Sequence, residues 1–153
     1  EQFRYDGIDV CEIYVITNKG EKFKPLHEIA SGGEISRIML SVSLVLSNMN
    51  PKNTLIFDEV DTGVSGATAS SMGNLLKGLA ATKQLVVVTH LPQIASKAKS
   101  HIYCYKSIES SKTNAKLTYL NDQSRQEEIA RMLSGEKITQ HSLKQAERFI
   151  LDG

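Results

Sequence analysis

The sequence has 153 residues, of which 41% are hydrophobic and 23% are charged. These values are typical of a single globular domain over residues 1–153, and they exclude a disordered tail or a fibrous repeat. The 18 Lys and Arg residues almost balance the 17 Asp and Glu residues, for a net charge of +1. No basic field therefore indicates that this chain by itself binds nucleic acid.

Apolar runs such as residues 55–57 and 85–88 fall far below the roughly 18 residues of a membrane span, so we expect no contact with a membrane. The first residues lack the basic and then apolar blocks of a signal peptide, which predicts a cytoplasmic protein. Cys11 and Cys104 lie in apolar stretches, so we predict reduced thiols buried in the core.

The first third of the chain contains one predicted strand and one predicted helix. Residues 8–17 are rich in apolar and β-branched side chains, which predicts a covered strand, and a turn follows at 18–20. A helix is predicted from Ile35 to a point before Pro51. Its predicted buried stripe has helical spacing and consists of Ile35, Ile38, Met39, Val42, Val45, Leu46 and Met49.

Two short apolar runs, 54–57 and 84–89, flank a stretch of helix formers at 67–80 with a predicted stripe of Met72, Leu75, Leu76 and Leu79. This order predicts a βαβ unit with two buried parallel strands. The predicted fold class is therefore α/β, with a mainly parallel sheet flanked by helices.

The last third is predicted to alternate short elements. A helix begins near Pro92, and strands at 101–106 and 116–120 are joined by a polar loop at 107–115. Two further helices are predicted at 124–133 and 139–151.

A glycine-rich segment, Ser31-Gly32-Gly33-Glu34, stands directly before the long predicted helix. Paired glycines at a helix N-terminus let backbone N–H groups approach a phosphate closely. Ser31 and Glu34 also have the spacing of a capping box, in which each side chain bonds the backbone N–H of the other residue and no ligand is needed. Taken alone, the segment favours the capping box, and the phosphate site stays open as the alternative.

Both βαβ strands end in residues that could carry chemistry. Asp58 and Glu59 follow the first strand, and adjacent acids there could hold Mg²⁺ and activate water, although acids at strand ends are often simple loop residues. His90 ends the second strand and could bond a phosphate, or be an ordinary interior histidine. The carboxyl ends of parallel strands are where open α/β sheets bind ligands.

The order and spacing of these segments resemble the second half of an ABC-type ATPase head. The closest resemblance is to the RecN family, bacterial proteins of DNA double-strand-break repair related to SMC proteins. Four segments carry it: IASGGEISRIML at 29–40, LIFDEVDTGVSG at 55–66, VTHLPQIA at 88–95 and EIARML at 128–133.

The resemblance implies a role for each matching residue. Ser31, Gly32, Gly33 and Glu34 would form the signature motif that contacts nucleotide, Asp58 would hold the magnesium ion, Glu59 would be the catalytic glutamate and His90 the switch histidine. The implied cofactors are ATP and Mg²⁺. Ser65 occupies the position where most ABC and SMC proteins have the D-loop aspartate, so Asp61 becomes a candidate for a replacement contact.

None of the ten glycines is followed by Lys, so the phosphate loop G-x-x-x-x-G-K-[ST] is missing. We therefore predict the C-terminal lobe of a head that lacks its phosphate-loop half. The partners implied by the family are the N-terminal phosphate-loop half of the same head, a second head in a homodimer, and DNA through the full-length protein, which would act on the bacterial nucleoid.

Two other functions remain open at this stage. Asp58, Glu59 and Asp61 could chelate metal directly, with His90 as acid or base, in a magnesium-dependent phosphohydrolase or nuclease. Such an enzyme would need no phosphate loop. The chain could also be a non-catalytic dimerisation domain with an ATPase-like fold.

Overall fold

The computed structural model describes residues 5, 7–16, 20–28, 32–46, 54–109 and 112–153. The strands are β1 (Tyr14–Val15), β2 (Lys24–Pro25), β3 (Thr54–Phe57), β4 (Gln84–Val87), β5 (Ile102–Glu109) and β6 (Lys112–Tyr119). The helices are α1 (Gly32–Val45), α2 (Gly66–Ala80), α3 (Pro92–Ala95), α4 (Asp122–Ser134) and α5 (Gln140–Leu151), with one 3₁₀ turn at Leu26–Glu28.

The predicted βαβ unit is present. Strands β3 and β4 are parallel and in register, from Thr54 opposite Gln84 to Phe57 opposite Val87, and α2 connects them. A hydrogen bond from the Val88 amide to the Phe57 carbonyl, 2.9 Å long, follows the last strand pair. Both strands therefore end at the same edge of the sheet.

One hydrophobic cluster lies between this unit and its helices. It contains Leu40, Phe57, Val60, Met72, Leu76, Leu79 and Ile94. Three of the four residues predicted for the α2 stripe are buried here, whereas Leu75 is 50% exposed. A second cluster, formed by Ala95, Ile129, Ala130 and Ala146, joins α4 and α5 to the end of α3.

The predicted burial of the α1 stripe is wrong for this chain. Helix α1 buries Leu40 and Ser43, whereas Ile35, Met39 and Val45 are exposed. Helical periodicity identifies an apolar face, but the side that meets β3 and Val60 is a different one. Met49 lies outside the described residues.

The prediction that β3 and β4 are buried strands holds for only one face of the sheet within the described residues. Leu55, Phe57, Leu85 and Val87 face the hydrophobic cluster. The alternate residues point to the opposite face of the sheet and are exposed, with Ile56 at 72%, Val86 at 45% and Val88 at 56%.

The loop predicted at 107–115 is largely a continuation of two strands. Strands β5 and β6 form an antiparallel ribbon from Ile102 opposite Tyr119 to Glu109 opposite Lys112. A ribbon that stands mostly in solvent needs no alternation of apolar and polar residues, so its outer part has the composition of a loop. Cys104 is exposed on this ribbon.

The N-terminal segment is less regular than predicted. Only Tyr14 and Val15 of the predicted strand 8–17 pair, with Lys24 and Pro25, and residue 17 lies outside the described residues. None of the described residues from 7 to 28 is buried, so this segment lacks the packed neighbour that a long covered strand requires. Cys11 is exposed, and the prediction of two buried thiols is therefore wrong. Within the described part, no helix could cross a membrane.

Polar contacts join α4 to the β5–β6 ribbon and to α3. Arg131 donates two hydrogen bonds to Glu128 and lies over the Tyr103 ring, 5.6 Å from its centroid. Arg125 donates to the carbonyl oxygens of Ser96 and Ala98. Burial lowers the pKa of His101, nearby Glu128 opposes this shift, and Arg125 adds to it.

We expect His101 to make the free energy of unfolding depend on pH. Because its pKa is lower in the folded protein, the unfolded chain binds more protons. Stability should be complete above the unfolded pKa of about 6.5 and should fall as pH decreases through that value toward the folded pKa. Urea denaturation from pH 8 to 5.5 measures the slope, and His101→Gln should flatten it. An identical slope in both proteins would contradict this origin.

Candidate functional site

A cavity opens at the shared edge of β3 and β4, where both strands end. It is lined by Asp58, Glu59, Asp61, Thr62, Val88, Thr89 and His90. The structure therefore brings together the two predicted acids and the predicted histidine, which are about thirty residues apart in sequence. Asp58, Glu59 and His90 are exposed to this opening.

Glu59 has an unusual backbone conformation. Its φ angle is 55°, in the left-handed region, and it is the one non-glycine residue with positive φ in the described chain. For an L-residue this conformation costs roughly 1–2 kcal/mol. The Glu59 carbonyl accepts a hydrogen bond from the Thr62 amide, which closes a tight turn directly after Asp58.

The start of α1 packs against this turn. A side chain placed at Gly33 would lie 2.9 Å from Thr62 Cβ and 3.2 Å from the Glu59 carbonyl oxygen. A side chain at Gly32 would lie 3.1 Å from Glu59 Oε2. Gly33 is therefore needed for close packing against the acidic turn of the same chain, whereas at Gly32 only the flexible end of Glu59 would have to move.

Hydrogen bonds from two residues outside the predicted site stabilise this contact. Ser36 Oγ donates to the Asp58 carbonyl oxygen at 2.7 Å, and Arg37 Nη1 donates to the Thr62 carbonyl oxygen at 2.7 Å. Both follow the paired glycines on the first turns of α1. Their polarity at a helix start was a weak signal, because polar residues are common there.

The remaining residues of the predicted site have different surroundings. Ser31 lies outside the described residues, so the structure does not test the capping box. Glu34 is half-buried in the first turn of α1, and Ser65 is exposed immediately before α2. Their roles toward nucleotide or a second head stay predictions.

Asp61 is buried, with a side chain that is 2% exposed. Its Oδ2 atom accepts hydrogen bonds from Thr89 Oγ1 at 2.5 Å and from the His90 amide at 3.0 Å. His90 Nδ1 lies 3.2 Å from the same oxygen. In this chain the carboxylate is therefore buried against the segment that follows β4.

The acidic turn fits a magnesium ion that is carried by a nucleotide better than a metal cage made of protein. Among the described residues, no three His, Cys, Asp or Glu side chains converge as ligands. Magnesium bound with a nucleotide needs only one or two carboxylates, because phosphate oxygens and water complete its shell. Exposed Asp58 could supply one such carboxylate.

The fold and the site define the class of this protein. The fold resembles the Smc head domain of Pyrococcus yayanosii, with a TM-score of 0.59 and 19% identity over 80% of this chain and 23% of that one. A second structure, from work on ATP-driven dimerization of SMC ATPases, gives a TM-score of 0.51 and 18% identity over 77% of this chain and 70% of that one. The chain therefore has an SMC-head-type α/β fold.

Sequence similarity points to a particular family, because the chain is similar to RecN proteins over nearly its whole length. It is 40% identical over 148 residues to the DNA repair protein RecN of Halalkalibacterium halodurans and 36% over 149 residues to that of Bacillus subtilis. It is 42% identical over 145 residues to RecN of Rickettsia conorii. These alignments cover 95–97% of the chain but only 26–27% of each relative, about a quarter of its length. No protein-family model matches the chain.

We expect Gly33→Ala and Gly32→Ala to differ in stability. The new methyl group at position 33 would meet the Glu59 backbone carbonyl and the Thr62 side chain, which should cost about 1–3 kcal/mol. At position 32 it would meet only the flexible end of Glu59, so the change should stay within about 0.5 kcal/mol. Urea denaturation of both variants checks this. Equal losses would contradict the close packing of Gly33 on the turn.

Proposed function

We propose that the chain is the C-terminal part of the ATPase head of a RecN-type DNA repair protein. In this proposal two heads pair around ATP and separate after hydrolysis. The observation that carries it is the single cavity in which Asp58, Glu59 and His90 meet at the ends of two parallel strands. Similarity to RecN over nearly the whole chain supports the assignment.

Each residue of the cavity has a chemical task in this proposal. Asp58 would hold Mg²⁺, which when bound neutralises phosphate charge. Glu59 would orient the attacking water and accept its proton, and His90 would contact the terminal phosphate. The signature residues Ser31 to Glu34 would face ATP held by the second head, with backbone N–H groups at the start of α1 as donors.

The phosphate-loop half of the same head is the proposed cover for the exposed apolar faces. A groove between α1 and β3 is lined in part by Ile35, Met39 and Ile56, all of which are exposed. Val86 and Val88 extend this apolar surface across the sheet. Each such side chain contributes about 1.5–3 kcal/mol when fully buried, so joining the two halves would be strongly favourable.

DNA binding is assigned to the rest of the protein. The chain has a net charge of only +1, so it has no overall excess of positive charge for phosphate contacts. In this proposal the full-length protein is cytoplasmic and joins the nucleoid when it acts on DNA. The chain contributes the ATP-dependent pairing and release of heads.

The two other functions are less well supported. A direct metal hydrolase would need the Asp61 carboxylate as a ligand. The Oδ2 atom of this carboxylate already accepts hydrogen bonds from Thr89 Oγ1 and the His90 amide. A domain used for dimerisation alone would not need a glutamate in a left-handed conformation. Glu59 nevertheless has this conformation, at the mouth of the cavity.

We expect Glu59→Gln in the full-length protein to keep ATP binding and to lower turnover. The amide preserves the shape of the side chain but is not a base, and loss of a general base typically costs about 10²–10⁴-fold. Paired heads should accumulate with ATP, because hydrolysis would release them. ATPase assays and sedimentation velocity measure both effects.

Glu147→Gln, on the exposed surface of α5, is the matched control and should behave like the unsubstituted protein. Near-normal hydrolysis by Glu59→Gln would refute the assignment.

The 153-residue chain by itself should bind ATP barely and should not hydrolyse it. Without the phosphate loop, helix-terminal N–H groups and Asp58 offer a triphosphate too few contacts. Addition of a fragment that carries the phosphate-loop half should restore both properties. Calorimetry with ATP and Mg²⁺, before and after addition, provides the measurement. Micromolar binding or steady hydrolysis by the chain alone would instead support the direct metal hydrolase.

A further inference from the structure

The buried carboxylate of Asp61 touches the one histidine of the cavity. Two donors bond its Oδ2 atom, Thr89 Oγ1 at 2.5 Å and the His90 amide at 3.0 Å, and His90 Nδ1 lies 3.2 Å from the same oxygen. Asp61 follows β3 and His90 follows β4, so these contacts tie together the two strand ends. A carboxylate that is 2% exposed is held in one orientation by such contacts.

The contact with Nδ1 determines which face His90 offers to the cavity. A carboxylate oxygen accepts but cannot donate, so this contact favours the tautomer of His90 that has its proton on Nδ1. The second ring nitrogen, Nε2, then lies on the opposite side of the imidazole. Because the His90 side chain is 72% exposed, no dense packing holds the ring, and Asp61 becomes its principal restraint.

We propose that Asp61 is a positioning residue for His90, which fixes the protonated Nδ1 and turns Nε2 toward the nucleotide. This inference rests on the proposed function, since it gives Asp61 a task in ATP turnover. It replaces the expected contact between Asp61 and a second head by a contact within one head. Thr89 has the supporting task of orienting the same carboxylate oxygen.

A double-mutant cycle in the full-length protein tests this proposal. Asp61→Asn keeps the size of the side chain, and we expect kcat to fall about 10–100-fold, the range seen when the partner of a functional imidazole is lost. The KM for ATP should stay within twofold. In a His90→Ala background the same Asp61→Asn change should alter kcat by less than twofold, because its effect passes through the missing ring.

A purely structural role for Asp61 predicts a different result. Its loss would then lower kcat by a similar factor in both backgrounds, and that result would overturn the proposal. Thr89→Val is the matched control for the contact between the strand ends. It removes the hydroxyl that donates to the Asp61 carboxylate and leaves both His90 contacts with that carboxylate. It should lower kcat less than Asp61→Asn does, and an equal or larger loss would also overturn the proposal.

A spectroscopic readout separates this inference from the proposed function. In ¹⁵N spectra of histidine-labelled protein, the His90 signals are identified by their loss in His90→Ala. Nδ1 should be protonated in the unsubstituted protein, and Asp61→Asn should shift its signal toward the unprotonated form. An unchanged Nδ1 signal would overturn the inference. Failure of the proposed function would appear elsewhere, as normal turnover by Glu59→Gln.

Discussion

The parallel pairing of β3 with β4 is the constraint on which the site depends. Its register ends both strands at one edge, so that the acids after Phe57 and the histidine after Val87 must share a cavity. Helix α2 makes this possible, because parallel neighbours require a long crossover connection. A slip of one residue would exchange the two faces of a strand and point its last side chains away from each other.

The sequence predicts the parts of the fold that have a regular local spacing of apolar residues. The βαβ unit was predicted because short apolar runs and a helical stripe identify such elements without reference to distant residues. The two strands of the ribbon are longer than the sequence predicts. A strand pair in solvent has no buried face, so its apolar and polar residues need not alternate. The exposed stripe of α1 shows the converse limit. Its spacing predicts an apolar face, but Ile35, Met39 and Val45 on that face are exposed and lie outside the chain's own hydrophobic cluster.

The candidate site likewise has residues that the sequence predicts and a contact that it does not predict. Asp58, Glu59 and His90 were predicted because a polar residue directly after an apolar run marks a strand end, and strand ends of parallel sheets converge. For Asp61 the sequence predicts only a candidate D-loop contact or a metal ligand, because it gives the position in the motif and not the neighbours in the fold. Its burial depends on how the turn after Glu59 folds back to Thr89, and no spacing in the sequence encodes that path.

The left-handed backbone at Glu59 has a consequence for evolution and engineering. Glycine adopts this conformation without the penalty that a glutamate carries, so position 59 is one where thermodynamic stability and chemistry favour different residues. Selection for thermal stability alone would tend to drive this position toward glycine or asparagine and so remove the carboxylate. A consensus or stability-designed version of this chain therefore needs position 59 held constant, because the loss would be invisible to any screen that measures only folding.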